Sequence, residues 1–304
     1  MESPKSGGIF KYEAYGLKIH SSIYLPELTQ LNSKSPDVVI TFDEISLPKT
    51  GIIDAGSTYI NTNDSIYRFW DEIGIFKITK TSIAINSLKN LNVQILRNFL
   101  LGTIFATFLR FRGLFVLHAS SININDSAIC FSGSKGFGKS TTAMAFYNEG
   151  YPIISDDYIV TELDKQNKHL VIPGFPSLRL SQNSSKLIGR NVDCDYEPLL
   201  DKTYFEFRKC FSNSRIPLKK IYFLQRDDTT KFEIVKLNPQ EAFIELIQNT
   251  FGLDMFSKFE LSNNFLQCEK IVKTTEISFL KIKDDLNSVY EIVDLVKDDF
   301  EDVK

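Results

Sequence analysis

A chain of 304 residues, 43% apolar and 24% charged, can bury one large core or two modest ones, and this composition excludes a disordered or fibrous protein. The formal net charge of −3 comes from acidic and basic residues intermixed along the chain, so no basic face is visible for a nucleic-acid backbone and no polynucleotide partner is expected. Cys130, Cys194, Cys210 and Cys268 form no CxxC pair, and the opening "MESPKSGGIF" lacks the apolar centre of a signal peptide, so reduced thiols in a cytoplasm are the expectation.

From about residue 8 to residue 88, β-rich runs such as "DVVITF", "SIYRFW" and "GIFKITKTSIAI" alternate with Asn, Ser, Gly and Asp clusters that punctuate turns. This predicts a small, largely antiparallel β-rich region over 1–88. The pattern turns helical in "LNVQILRNFLLGTIFATFLR", where Val93, Leu96, Phe99, Leu100 and Ile104 recur at three and four, and Arg110 and Arg112 suit the negative end of a helix. Its most apolar part, Phe99 to Leu109, is too short to cross a bilayer, so a buried core helix and no membrane partner are expected. "GLFVLHAS" and "SAICFS" read as strands, Lys139 to Glu149 as a helix stopped by Gly150, and "YPIIS" as a strand running into Asp156. Further strands are predicted at "DYIVTEL", "HLVI" and "RIPLKKIYFLQ". A helix in "NPQEAFIELIQNTF" has Asn238 as its cap and Pro239 at its first position. The last helix, in "DDLNSVYEIVDLVKDDF", puts Leu286, Val289, Tyr290, Val293, Val296 and Phe300 on one stripe. No repeat or low-complexity linker interrupts residues 89–304, which are expected to pack as one α/β domain.

The strongest local signal is "FSGSKGFGKSTTAMAF". Gly133, Gly138, Lys139 and Ser140 satisfy G-x-x-x-x-G-K-[ST] between a predicted strand and a predicted helix, the context that a phosphate-binding loop requires. Glycines let successive N–H groups curl around an anion, and the positive end of the following helix adds to the attraction. Gly133, Ser134, Lys135, Gly136, Phe137, Gly138 and Thr141 would border the phosphates, with Lys139 neutralising charge and the Ser140 hydroxyl offering a hard oxygen to Mg²⁺. A chance glycine-rich turn is the plainer reading, and the strand and helix on either side weigh against it.

Asp156 and Asp157 follow "YPIIS", seventeen residues after Lys139. Open α/β sheets bind ligands off the carboxyl ends of their strands, so a carboxylate here can reach a metal or an attacking hydroxyl. Adjacent residues of a strand face opposite ways, so the two acids should have different jobs, one toward Mg²⁺ and one accepting a proton. The competing reading is that both simply open a surface turn.

Together, "RGLFVLHASSI", "FSGSKGFGKSTTAMAF", "GYPIISDDYIV", "PGFPSLRL", "PLKKIYFL" and "LNPQEAFIELIQNTF" resemble the HPr kinase/phosphorylase superfamily. Within it, the chain is most similar to the shorter HPr-kinase-like proteins encoded with peptide-modifying enzymes, including kinases of lasso-peptide precursors; "YGLKIHSSIYLPEL" extends the likeness to the N-terminal region. The resemblance implies a P-loop nucleotide-binding domain of the HPr kinase/PEP carboxykinase type over 89–304, ATP and Mg²⁺ as cofactors, and frequent homo-oligomers. It also implies roles: Asp156 as general base, Ser140 and Asp157 toward the metal, Lys139 on phosphate, and His118 of "LHAS" near the transferred group. Read from its surroundings alone, His118 is a hydrogen-bonded core residue at a strand end, while His20 and His169 are surface or structural. Arg179 in "PGFPSLRL" is either a second phosphate clamp or half of a surface ion pair, and Lys202 is a weaker basic candidate. Two features depart from the family: Lys135 stands where Ser is common, and the E-x-R-G-x-G signature is absent, so neither HPr as substrate nor the reverse phosphorolysis is carried over.

The expectation is an ATP- and Mg²⁺-dependent kinase acting on a serine of a peptide or protein, such as the C-terminal serine of a lasso-peptide precursor. Two alternatives stay open: a regulator that binds ATP and transfers nothing, and a kinase of a small hydroxylated metabolite.

Overall fold

The computed structural model describes residues 8–48, 59–62, 64–188, 194–197, 202–226, 232–255, 257–283 and 288–301. It is a mixed α/β structure that divides into two units, Met1–Leu114 with Phe251–Asn263, and Phe115–Thr250 with Asn264–Lys304. The helical segment expected to open the second unit is thus grouped with the first.

In the first unit, β1 (Phe10–Ala14), β2 (Leu17–Ser21), β3 (Thr29–Gln30), β4 (Val38–Phe42), β5 (Tyr59–Asn61), β6 (Ile66–Trp70), β7 (Gly74–Ile78) and β8 (Ser82–Ser87) form one sheet, in the order β3-β1-β2-β4-β8-β7-β6-β5. It is antiparallel except where β4 runs parallel to both β2 and β8. The run "GIFKITKTSIAI" is two strands, because the Thr79 hydroxyl accepts from the N–H groups of Thr81 and Ser82 and closes a turn between them. The following helical segment is not continuous. Between α1 (Val93–Phe99) and α2 (Phe105–Phe111) lies a π-turn at Leu100–Ile104, where Gly102 takes φ −87°, ψ −112° and breaks the regular repeat. The segment is nevertheless buried, with Leu100, Ile104, Phe105 and Phe108 inaccessible and Tyr15 stacked on Phe105. Arg112 donates to the carbonyls of Lys80 and Asp37. The returning segment docks on β5: Tyr59 donates to the Asp254 carbonyl, and Asn61 to that of Met255.

The second unit contains β9 (Phe115–Leu117), β10 (Ala119–Ile124), β11 (Ser127–Ser132), α3 (Lys139–Asn148), β12 (Ile153–Ser155), β13 (Ile159–Leu163) and β14 (His169–Ile172). Then come β15 (Ser177–Ser181), α4 (Gln182–Ile188), β16 (Cys194–Glu197), β17 (Lys202–Glu206), β18 (Ile216–Arg226), β19 (Glu233–Lys236), α5 (Pro239–Asn249), α6 (Lys258–Thr274, from the first unit into this one), β20 (Glu276–Ile282) and α7 (Val289–Glu301). The main sheet runs β12-β10-β11-β18-β14-β13-β9, with β20 on β18 and β19 on β20, while β15, β17 and β16 make a separate small sheet. At its centre β11, β18 and β20 are parallel.

Alternation along these central strands separates two apolar layers. Ile129 and Phe131 of β11, with Tyr222 and Leu224 of β18, pack with Met144 and Phe146 of α3 and Val293 and Val296 of α7. The intervening Ala128, Cys130, Ile221 and Phe223 pack with Ala242 and Leu246 of α5 and Cys268 and Ile271 of α6. Helices therefore cover both faces of the parallel core, as burial of such strands requires. Helix α5 starts at the expected cap: Asn238 accepts from Gln240 and Glu241, and Glu241 reaches back to the Asn238 N–H. On α7 the stripe is shifted, since Tyr290 is 39% exposed and Ile292 is buried in its place; Leu286 lies outside the described residues. Cys130, Cys210 and Cys268 are free thiols, and the Cys194 side chain lies outside the described residues. No described helix is long and apolar enough to cross a membrane.

Among the buried polar side chains of this unit, Lys220 and His169 bear most directly on stability. Lys220, 2% exposed on β18, is ion-paired with Glu276 of β20 and Asp299 of α7, and Tyr222 also donates to Asp299. Lys220→Ala leaves Asp299 without its cation, while Glu276 keeps Lys236, and should cost about 3 kcal/mol of unfolding free energy, measured by urea denaturation. His169, expected at the surface or in a structural role, is buried and shares a hydrogen bond with Thr161; burial, and secondarily the charge of Lys270, lowers its pKa from 6.5 to about 4. The folded chain then binds fewer protons than the unfolded one below pH 6.5, so the stability tied to neutral His169 is present above that pH and lost as pH falls toward 4. Between pH 7 and pH 4.5 the urea midpoint of the native chain should fall more steeply than that of His169→Gln.

Candidate active site

The glycine loop leaves the carboxyl end of β11 and enters α3. Gly133 lies at φ +129°, and a Cβ there would stand 2.8 Å from the Leu224 carbonyl oxygen of the neighbouring β18, so a side chain is excluded by both conformation and space. Gly138 takes φ +95° and turns the chain so that the first N–H groups of α3 face back over the loop. Ser134, Lys135 and Gly136 are exposed, Phe137 packs partly against the apolar layer below, and the Arg226 guanidinium lies 6.0 Å from its ring. Lys139, only 7% exposed, folds over its own loop and donates to the carbonyls of Gly133 (2.8 Å) and Ser134 (3.1 Å). Thr141 is turned toward α4, where its hydroxyl donates to Ser184.

Asp156 follows β12, which is not adjacent to β11. The antiparallel β10 runs between them, pairing Ala119 with Ser132 on one side and Ser121 with Ser155 on the other. The Asp156 carboxylate, 7% exposed, nevertheless meets the loop helix: Oδ1 accepts from Ser140 at 2.8 Å and from Ser120 at 2.6 Å, while Oδ2 accepts from the Arg179 N–H at 3.3 Å. The chain then reverses in one residue. Asp157 has φ +63°, and the Tyr158 N–H donates to the Asp156 carbonyl in a γ-turn. This turn sends the Asp157 carboxylate away from Ser140 and onto the Arg179 guanidinium, with which it forms an ion pair.

The structure therefore brings Asp156, rather than the expected metal-side Asp157, beside Ser140, and it is the turn at Asp157 rather than strand alternation that separates the acids. Arg179 has its half-buried side chain in an ion pair with Asp157, and its main-chain N–H donates to Asp156. His118 has its carbonyl bonded by Ser132 at the root of the loop, its N–H on the Asn249 carbonyl, and its ring 5.6 Å from that of Tyr158. The Lys202 side chain lies outside the described residues. Ser120 was not singled out by its sequence; its only mark there is its place two residues after His118.

A hydroxyl and a carboxylate in contact, both hard oxygen donors at a helix N-terminus, fit Mg²⁺ that draws its remaining ligands from phosphate and water. Among the described residues, no three His, Cys, Asp or Glu side chains cluster as an all-protein metal cage. The loop amides and Lys139 likewise fit a polyphosphate. No protein-family model matches the chain, and no curated protein does. Among solved structures it is similar to the Hpr(Ser) kinase/phosphatase from Coxiella burnetii, at 14% identity and a TM-score of 0.35 over 62% of this chain and 97% of that one, a likeness too distant to carry any role across.

Proposed function

We propose that the chain is an ATP- and Mg²⁺-dependent kinase that phosphorylates a serine hydroxyl of a peptide or protein. The observation that carries this reading is the Asp156 carboxylate held 2.8 Å from Ser140, the first hydroxyl after the glycine loop and its lysine. When bound, Mg²⁺ and ATP supply the charge neutralisation and the transferable phosphoryl group. The loop amides and the N-terminus of α3 would hold the phosphate oxygens, and Lys139, now on two carbonyls, would turn to them. Ser140 commits its proton to Asp156 Oδ1, which leaves its lone pairs for a cation. Oδ2, with a single N–H at 3.3 Å, keeps a lone pair for the proton of an incoming hydroxyl. Arg179, by leaving Asp157, would bring a guanidinium to the developing charge. His118, tied to the root of the loop, is the remaining candidate for contact with the transferred group. The sequence resemblance makes the C-terminal serine of a lasso-type precursor the first acceptor to try.

The test is incubation of the purified chain with γ-labelled ATP, Mg²⁺ and peptides encoded beside its gene, with the label located by mass spectrometry. Asp156→Asn should lower serine labelling by about 10²–10⁴-fold while ATP affinity in EDTA, measured by calorimetry, stays within a few-fold. Lys139→Ala should instead weaken ATP binding itself, by about tenfold or more. Absence of ATP binding would end the kinase reading, tight ATP binding with no labelled peptide would favour the regulator or the kinase of a small hydroxylated metabolite, and full transfer by Asp156→Asn would remove Asp156 from the chemistry.

A further inference from the structure

We infer that Ser120 is a positioning residue of this site, bracing the Asp156 carboxylate so that it meets Ser140; the inference rests on the reading of the loop as a nucleotide and metal site. The need for a brace follows from the sheet order. Asp156 follows β12 and the loop follows β11, and with β10 between them the two strands stand roughly 10 Å apart, twice the spacing of neighbours. A short side chain crossing that interval needs a fixed direction.

Ser120 supplies it from the middle strand. Ser121 pairs with Ser155, so continuing the antiparallel register sets Ser120 opposite Asp156, with both side chains on one face. The β10/β12 register then shifts between Ser121 and Ile122, an irregularity of the kind that re-aims side chains beside functional sites. The resulting bond, 2.6 Å to Oδ1, is the shortest that Asp156 accepts from a hydroxyl. Ser120 is 1% exposed, so solvent has no route to replace the donor once it is removed. With both serine protons committed to Oδ1, Ser140 and Asp156 present their remaining oxygen lone pairs to one place. Removing Ser120 leaves the carboxylate held by Ser140 and by one longer N–H bond from Arg179, so its aim toward a shared cation loosens.

The readout is the Mg²⁺ dependence of nucleotide binding, which needs no acceptor. A fluorescent ATP analogue is titrated with the full chain in EDTA and at rising Mg²⁺. For Ser120→Ala the Mg²⁺ midpoint should rise about tenfold while metal-free affinity is unchanged, and Ser120→Thr should restore it. Ser121→Ala is the control for a purely structural cost, since that buried neighbour donates to the Ser155 carbonyl and not to Asp156. An unmoved midpoint in Ser120→Ala, an equal shift in Ser121→Ala, or no effect of Mg²⁺ on the native chain overturns the inference. Mg²⁺-dependent binding that Ser120→Ala weakens, in a chain that phosphorylates nothing, would support the positioning role and dismiss the kinase.

Discussion

One carboxylate organises the site. Asp156 takes three hydrogen bonds from three separate parts of the second unit: Ser120 at the start of β10, Ser140 in the first turn of α3, and the Arg179 main chain in β15. Each donor is local to its own element, and only the acid joins them. An ionised carboxylate accepts and never donates, so it can serve as a common terminus for such donors. The glycine loop, the middle strand and the small sheet are registered against one another through this group. Without it, the same elements could pack to the same core and still leave their polar atoms uncoordinated.

The apolar layers set where this can happen. Parallel β11, β18 and β20 are sealed on both faces by helices, so the carboxyl ends of β11 and β18 are where polar chemistry can gather. Leu224 near the end of β18 lies so close to Gly133 that the loop must begin with a glycine. Toward the other end of β18, buried Lys220 fastens the strand to β20 and α7. The strand that limits the loop is thus held firmly before it reaches the site.

How much of this could be read from the sequence follows from the range of each interaction. The loop, its lysine, helix α3 and strands β11 and β12 were legible because glycine spacing and alternation are encoded within a few residues. The cap at Asn238 was legible for the same reason, since its partners are two and three residues away. Strand order is not written locally. Nothing in "LHASSININ" says that β10 lies between the loop strand and the acid strand, so Ser120 was missed. The two aspartates were expected to part company, but which one faced Ser140 depended on a one-residue γ-turn at Asp157. The break at Gly102 escaped notice because a π-turn preserves the apolar character of its neighbours while changing their phase.

The posture of Lys139 has a consequence for selectivity. Its ammonium already rests on two carbonyl oxygens, with little exposure to water. An entrant must replace both of those neutral oxygens, and a singly charged anion offers the cation one full charge in exchange. A dense polyanion offers far more. On the proposed reading of the loop as a phosphate site, the amine would favour groups that concentrate negative charge before any selection by shape.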